Sequence, residues 1–332
     1  MKGKIFILHA FGAPEHYIAL EALARREGLT LVYRQLNFRD RIRDPWFLLT
    51  LPFRRRCKIV LGVAPYDNRL PWLLLLLRHH AVYYHTSYVC WDGSKFRHKA
   101  RNERVIAAWR KFTGSFARHI FAVSEATKRE LVANGWATED RISTVGHSYT
   151  FKVEPRPRVK DSSFVYAGRL VEFKGIRELL DIFSSRPEAT LTIAGSGPLE
   201  GEVREYAAKY PNIIYKGYIR GFENMIPLYR QASFLVLNSK KTATWEELFG
   251  MTLFEGMACG CVPLASDHIG PREIITDGKD GILVPEGGIS SAIDLALAMT
   301  DTQYQSLRSA AISRGSSFHC SIVASRWSKI LE

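Results

Sequence analysis

The chain has 332 residues, room for two domains, and its 46% hydrophobic and 24% charged content excludes a disordered, collagenous or disulfide-framed protein. The net charge of +13 sits wholly in residues 1–150, where 25 Lys and Arg face 12 Asp and Glu; residues 151–332 balance at 21 of each. The longest apolar run, Trp72–Leu77, falls far short of the roughly 20 residues of a membrane span, and the five scattered cysteines suit a reducing cytoplasmic setting better than a structural metal.

Lys4–Leu8 reads as a first strand, because the apolar stretch is too short for a signal peptide and no clean cleavage site follows. A helix is predicted over His16–Arg26, then strands at Leu29–Tyr33 and Cys57–Val63. Trp72–Leu77 is bounded by Pro71 and Arg78 and reads as a buried helix or strand. Further strands are predicted at Ala81–His85, His119–Ser124 and Arg141–Val145, with a helix over Glu125–Asn134 that Ser124 caps. Residues 152–163 hold two prolines and many charges, the composition of a linker, and the charge step falls at the same place.

Beyond the linker, strands are predicted at Ser163–Gly168, Thr190–Ala194, Ile213–Lys216, Ser233–Leu237, Val262–Ala265 and Gly281–Val284, with helices over Ile176–Phe183, Leu199–Lys209 and Met251–Ala258. Nearly continuous apolar strands separated by helices make parallel sheets covered on both faces. Six strands in each half therefore predict an α/β chain of two doubly wound, Rossmann-like domains, residues 1–152 and 163–316, facing a cleft.

Three loops in the second half carry chemistry. Ala167-Gly168-Arg169-Leu170 and Lys174-Gly175 follow a strand and open a helix, so two cations stand beside unpaired N–H groups, an anion site suited to a diphosphate. The plain alternative is two solvated surface charges. Ala194-Gly195-Ser196-Gly197-Pro198 again joins strand to helix, and glycine there lets the backbone approach a ligand or merely turn. In Glu246-Glu247-Leu248-Phe249-Gly250-Met251-Thr252-Leu253-Phe254-Glu255, Glu247 precedes a helix and Glu255 lies one turn inside it. Both carboxylates can accept hydrogen bonds from sugar hydroxyls, and free N–H groups at Gly250, Met251 and Thr252 can hold phosphate oxygens. The alternative is a capping acid and a solvated one, but Glu255 sits between Phe254 and Met257, where a carboxylate needs a partner.

These motifs in this order, with Met257-Ala258-Cys259-Gly260 and Pro263 and the closing segment Ile269–Ile275 to Val284, resemble the retaining glycosyltransferases of family 4, which have the two-domain GT-B fold. The dense part of the resemblance covers residues 163–285. It implies that Arg169 and Lys174 neutralise a donor diphosphate, that Glu255 holds the ribose hydroxyls and that Glu247 holds a donor-sugar hydroxyl. It implies too that Phe249, Gly250 and Met251 line the sugar and phosphate, and that Gly217-Tyr218-Ile219 pack near the base. Gly256 departs from the alanine common in the family. It implies front-face attack with no enzymic nucleophile. No Asp-x-Asp occurs, so neither a metal nor any other cofactor is expected.

In the first half the resemblance is thinner. The family's glycine-rich loop is reduced to His9-Ala10-Phe11-Gly12-Ala13-Pro14, with Gly12 the candidate for close approach to phosphate or acceptor. His85 ends a strand where the family has a histidine near the donor sugar, and the family's last helix, here about 317–332, crosses back onto the first domain. Basic clusters at Arg39–Arg43, Arg54–Lys58 and Lys95–Lys111 interleave with aromatic groups, which suits the inner face of an anionic membrane and a glycan or lipid-linked acceptor. The rival readings are a nucleic-acid-binding protein, disfavoured by the neutral second half, and a nucleotide-sugar epimerase on the same fold.

Overall fold

The computed structural model describes residues 3–10, 14–36, 45–92, 102–154, 156–243 and 245–332. Gly12, the Arg39–Arg43 cluster and the first part of the Lys95–Lys111 cluster lie outside the described residues. The chain divides into two units, Met1–Thr150 with Cys320–Glu332, and Phe151–His319.

Unit 1 is built on a parallel sheet of six strands: β1 (Lys4–His9), β2 (Thr30–Gln35), β3 (Lys58–Gly62), β4 (Ala81–Thr86), β5 (Ile120–Ala122) and β6 (Ile142–Thr144), in the order β2-β1-β3-β4-β5-β6. Successive side chains of a strand point to opposite faces. Phe6, Leu8, Ile59 and Leu61 therefore feed one buried layer, and Ile5, Ile7, Val60 and Tyr83 feed the other, which is why the strands read as unbroken apolar runs. Helices α1 (Ile18–Arg26), α2 (Pro45–Thr50), α3 (Leu70–Leu77), α4 (Glu103–Lys111) and α5 (Glu125–Ala133) join them. The Ser124 hydroxyl caps α5 by accepting the Thr127 N–H at 3.0 Å. The expectation that Trp72–Leu77 is buried needs correction. Those residues are helical in α3, and Leu73 and Leu77 enter the core, but Trp72 and Leu75 are 73% and 58% exposed. A helix on the outside of a sheet buries one stripe only, and the other four leucine or tryptophan positions cannot all share it.

Unit 2 repeats the plan with β7 (Ser163–Ala167), β8 (Thr190–Ala194), β9 (Ile213–Tyr215), β10 (Phe234–Leu237), β11 (Val262–Ser266) and β12 (Ile282–Val284), all parallel, in the order β12-β11-β10-β7-β8-β9. Its helices are α6 (Ile176–Ser184), α7 (Glu200–Lys209), α8 (Phe222–Arg230), α9 (Met251–Cys259), α10 (Ile269–Ile274), α11 (Ile289–Ala298) and α12 (Asp301–Ser316). The strand order reverses between β7 and β10, and the carboxyl edge of a doubly wound sheet at such a switch point is where ligands sit. Gly260, at φ +97°, ends α9 in the left-handed region, a stop legible from the sequence.

The chain then returns to unit 1. Helix α13 (Cys320–Val323) and a 3-10 turn over Ala324–Ile330 pack on α1, burying Val323, Trp327 and Ile330 beside Leu20 and Leu23.

Candidate functional site

The parallel register places Ala167 of β7 opposite Ala194 of β8, so the two loops that follow emerge side by side at the switch point. They are stitched together by Gly168 N–H to Ala194 O at 3.0 Å and Leu170 N–H to Ser196 O at 2.9 Å. Gly195 is required by this contact, since a Cβ there would lie 1.8 Å from the Gly168 carbonyl oxygen. Gly195→Ala is expected to destabilise unit 2 by about 3 kcal/mol or more through overpacking and backbone strain. The comparison is Gly201→Ala on α7, where a Cβ meets nothing within 4 Å; a thermal melt there is expected to show a gain of up to about 1 kcal/mol.

Above these loops is a cavity of about 340 Å³ whose walls include Gly168, Arg169, Gly195, Tyr218, Ile219, Thr252 and Glu255. Six residues singled out from the sequence, Arg169, Gly195, Tyr218, Ile219, Thr252 and Glu255, thus meet in one space although they span 87 positions of chain. Arg169 is exposed, lies over the Phe173 ring at 5.1 Å and forms no ion pair among the described residues. Tyr218 is 68% exposed on the rim, a flat apolar surface open to a planar group.

Glu255 faces this cavity from α9. Its carboxylate accepts the Tyr229 hydroxyl of α8 at 3.0 Å. Burial raises its pKa from 4.5 to about 7, against which the Tyr229 hydrogen bond acts only in part. Burial likewise holds the Tyr229 hydroxyl well above its ordinary range, next to the Glu255 charge. Glu255 therefore has the partner that its apolar neighbours demanded and retains acceptor capacity toward the cavity.

Lys174 and Glu247, 73 residues apart, form a buried ion pair, their side chains 12% and 9% exposed. The Ser239 hydroxyl donates to the same Glu247 carboxylate at 2.8 Å, and the Gly250 N–H donates to its other oxygen at 3.3 Å. This corrects one expectation, for the Gly250 N–H is already engaged rather than free. Gly250 adopts φ +66° and starts α9, so Glu247, Phe249, Gly250 and Met251 form one tight loop into the helix. The loop is clamped from outside by Gly270 N–H to Glu247 O at 2.9 Å. Lys174 also lies 5.0 Å from the Trp245 ring centroid. Lys174, Glu247, Phe249, Gly250 and Met251 do not line the 340 Å³ cavity, which Thr252 and Glu255 of the same helix do.

In unit 1, His85 of β4 is buried at 3% exposure, packed between Tyr17, Trp327 and His16 with ring centroids at 4.8, 5.5 and 5.8 Å. Burial, with the neighbouring His16, His9 and His147, holds its pKa well below the ordinary histidine range, so the ring is neutral. Its Nε2 has no protein partner. His9, His16 and His85 line a cavity of about 230 Å³ at the carboxyl ends of β1, β3 and β4. Gly62 makes the space, since a Cβ there would meet the His9 ring at 2.2 Å.

Sequence reasoning missed Tyr229, Ser239, His9 and His16. Nothing in the local pattern of Tyr229 distinguishes it from core, and Ser239 is a single hydroxyl after a strand. His9 and His16 had a weak signal, two imidazoles flanking a loop at a strand end.

The sequence model of the family described as glycosyl transferases group 1 matches residues 150–314. The chain is 31% identical to O-antigen chain mannosyltransferase C of Escherichia coli over 42% of its own length and 37% of the relative's. It is 24% identical to the capsular polysaccharide biosynthesis glycosyltransferase CapM of Staphylococcus aureus over 55% and 52%. The chain thus spans about half or less of the curated relatives it matches. Among solved structures, Anabaena HepE in complex with UDP superposes with a TM-score of 0.73 at 15% identity, over 100% of this chain and 99% of the other. That likeness shows the fold, two Rossmann-like sheets of the GT-B kind.

Proposed function

Because the chain belongs, through residues 150–314, to the group 1 glycosyl transferases, we propose that it moves a sugar from a nucleoside diphosphate donor to a glycan or lipid-linked acceptor in the assembly of a polysaccharide or glycolipid. The observation that carries this is the unit 2 cavity, which joins an unpaired guanidinium, glycine backbone, a flat rim at Tyr218 and a carboxylate in one space. Those groups suit a diphosphate, a ribose and a base in that order. The relatives named above have polysaccharide-building names, which supports the substrate class.

In this reading Arg169 binds the diphosphate and Glu255 accepts two ribose hydroxyls. Lys174 and the N-terminus of α9 add positive potential where charge develops on the leaving diphosphate. Glu247, fixed by Lys174 and Ser239, holds a sugar hydroxyl, and neutral His85 offers its free nitrogen to another. The acceptor oxygen attacks the anomeric carbon on the face from which the diphosphate departs. Its proton passes to a diphosphate oxygen, the old glycosidic bond breaks as the new one forms, and configuration is retained. The reading gives the metal no part in these steps.

The test incubates the purified chain with UDP-, GDP- and dTDP-sugars and follows thermal shift and slow donor hydrolysis. One nucleotide-sugar is expected to stabilise the protein and to be hydrolysed with retention at the anomeric carbon. An altered sugar still attached to its nucleotide would instead identify an epimerase, and a folded protein that no donor stabilises would end the reading.

A further inference from the structure

The basic half of the chain has one face that neither its fold nor the candidate site uses. Helix α2, the 3-10 turn Leu51–Phe53 and α3 cover one side of the unit 1 sheet, and the turn packs against α3. Their inward side chains, Phe47, Leu51, Leu70, Leu73 and Leu77, are all in the core. Their outward ones are not polar, as a solvated face would be: Leu49 is 64% exposed, Phe53 89%, Trp72 73% and Leu75 58%. Trp72 and Leu75 are three apart in a helix and so share one stripe.

Charge singles out the same face. Between residues 45 and 91 there are six Lys and Arg and one acid, Asp67. That acid is held by the Arg69 guanidinium at 2.9 and 2.6 Å. Arg54, Arg55 and Arg56 follow Phe53 directly and are exposed, and Arg78 is exposed at the end of α3. The arginine segment is held in place: His80 accepts the Cys57 N–H at 3.2 Å on one ring nitrogen and meets the Leu51 carbonyl at 3.0 Å with the other, tying the turn to the end of α3. Arg54, Arg55 and Arg56 also join Lys4 and Lys58 around a cavity of about 650 Å³. Its acid, Glu27, is already bonded to Arg26 at 3.1 Å.

This cavity lies where β1 and β3 begin, at Lys4 and Lys58, so it is on the amino edge of the sheet. The His9–His85 cavity is on the carboxyl edge, where doubly wound sheets bind substrates. The two are different sites.

We infer that this face docks on an anionic lipid bilayer. Phe53, Leu49, Trp72 and Leu75 enter the boundary between headgroups and acyl chains, and Arg54, Arg55 and Arg56 hold lipid phosphates, with Lys4 at the cavity between them. A soluble polyanion would satisfy the arginines but would leave the aromatic and leucine side chains in water; a bilayer surface takes both. The inference stands apart from the transfer reading, because docking needs no donor.

The test is sedimentation of the purified chain with phosphatidylcholine vesicles, with and without phosphatidylglycerol, in the absence of any nucleotide-sugar. Partition is expected only with the anionic lipid and is expected to fall as salt is raised. Replacing Arg54, Arg55 and Arg56 together by glutamine is expected to lower the partition coefficient on the order of 100-fold. Phe53→Ser with Trp72→Ser is expected to lower it about tenfold or more. Thermal melts and nucleotide-sugar binding of both variants are expected to match the parent, because neither set of residues supports the core or lines the unit 2 cavity.

Equal partition onto neutral vesicles, or none onto either, would overturn the inference. So would partition that the glutamine variant loses and the serine variant keeps, which would mark a polyanion-binding face. A dimer in lipid-free buffer that Phe53→Ser dissociates would assign the patch to a second copy of the chain instead.

Discussion

Glu255→Gln is expected to weaken nucleoside diphosphate binding by about 2–3 kcal/mol, because two hydrogen bonds to a charged acceptor are lost. The same substitution is expected to stabilise the free protein at pH 8. The sign follows from burial, which raises the Glu255 pKa from 4.5 to about 7. The folded state therefore holds this proton more tightly than the unfolded chain. That contribution to stability is complete below pH 4.5 and is lost as pH rises through about 7. At pH 8 the native protein carries a charged carboxylate in a poorly hydrated place, at a cost of at most about 3 kcal/mol. Glutamine removes that cost and keeps a polar contact with Tyr229.

Ligand binding has the opposite pH dependence to stability. Ribose hydroxyls donate to the charged form, so donor affinity is expected to rise between pH 5.5 and 8 with release of a proton, about tenfold per pH unit below the Glu255 pKa. Calorimetry in buffers of different ionisation enthalpy measures the proton directly. A glutamine variant that binds the donor as the parent does, or a parent whose affinity is flat across this range, would remove Glu255 from the ribose site.

The second large effect is at the Lys174–Glu247 pair. Lys174→Ala leaves Glu247 buried with the Ser239 hydroxyl and the Gly250 N–H as its remaining donors. Breaking one side of a buried pair costs about 3–5 kcal/mol, so the melting of unit 2 is expected to fall by about 10 °C. Activity is expected to fall by a factor of about 100 or more, as charge on the departing diphosphate loses a cation. Fold and function can be separated with the double variant Lys174→Met with Glu247→Gln. It restores a neutral, filled site and is expected to recover most of the melting temperature while activity stays lost. Recovery of both would make the pair a structural element with no part in transfer.

The cavities bear on why these effects were only partly legible in the sequence. Arg169, Gly195 and Glu255 were recognisable because each sits at a fixed offset from a strand end or helix start, and local chemistry decides such positions. Tyr229 was not, because its importance comes from α8 lying against α9, a packing relation with no local signature. Likewise Glu247 and Lys174 were assigned separate tasks on separate loops, and only the fold shows that they neutralise each other.

The sequence by itself determined the twelve strands, the α/β class and the alternation of strand and helix. Strands buried on both faces must be apolar throughout, and helices between them must start and stop at residues that satisfy their ends. Glycines at Gly250 and Gly260 and the cap at Ser124 were legible for that reason. The tertiary structure alone decided which loops meet, through the parallel registers that set Ala167 beside Ala194 and His9 beside Gly62. It alone decided that Trp72 and Leu75 face solvent although they lie in the most apolar run of the chain. Periodicity tells how wide an apolar stripe is, but what lies opposite each side of a helix depends on residues distant in sequence. Burial, pairing and the pKa of Glu255 all follow from those distant residues.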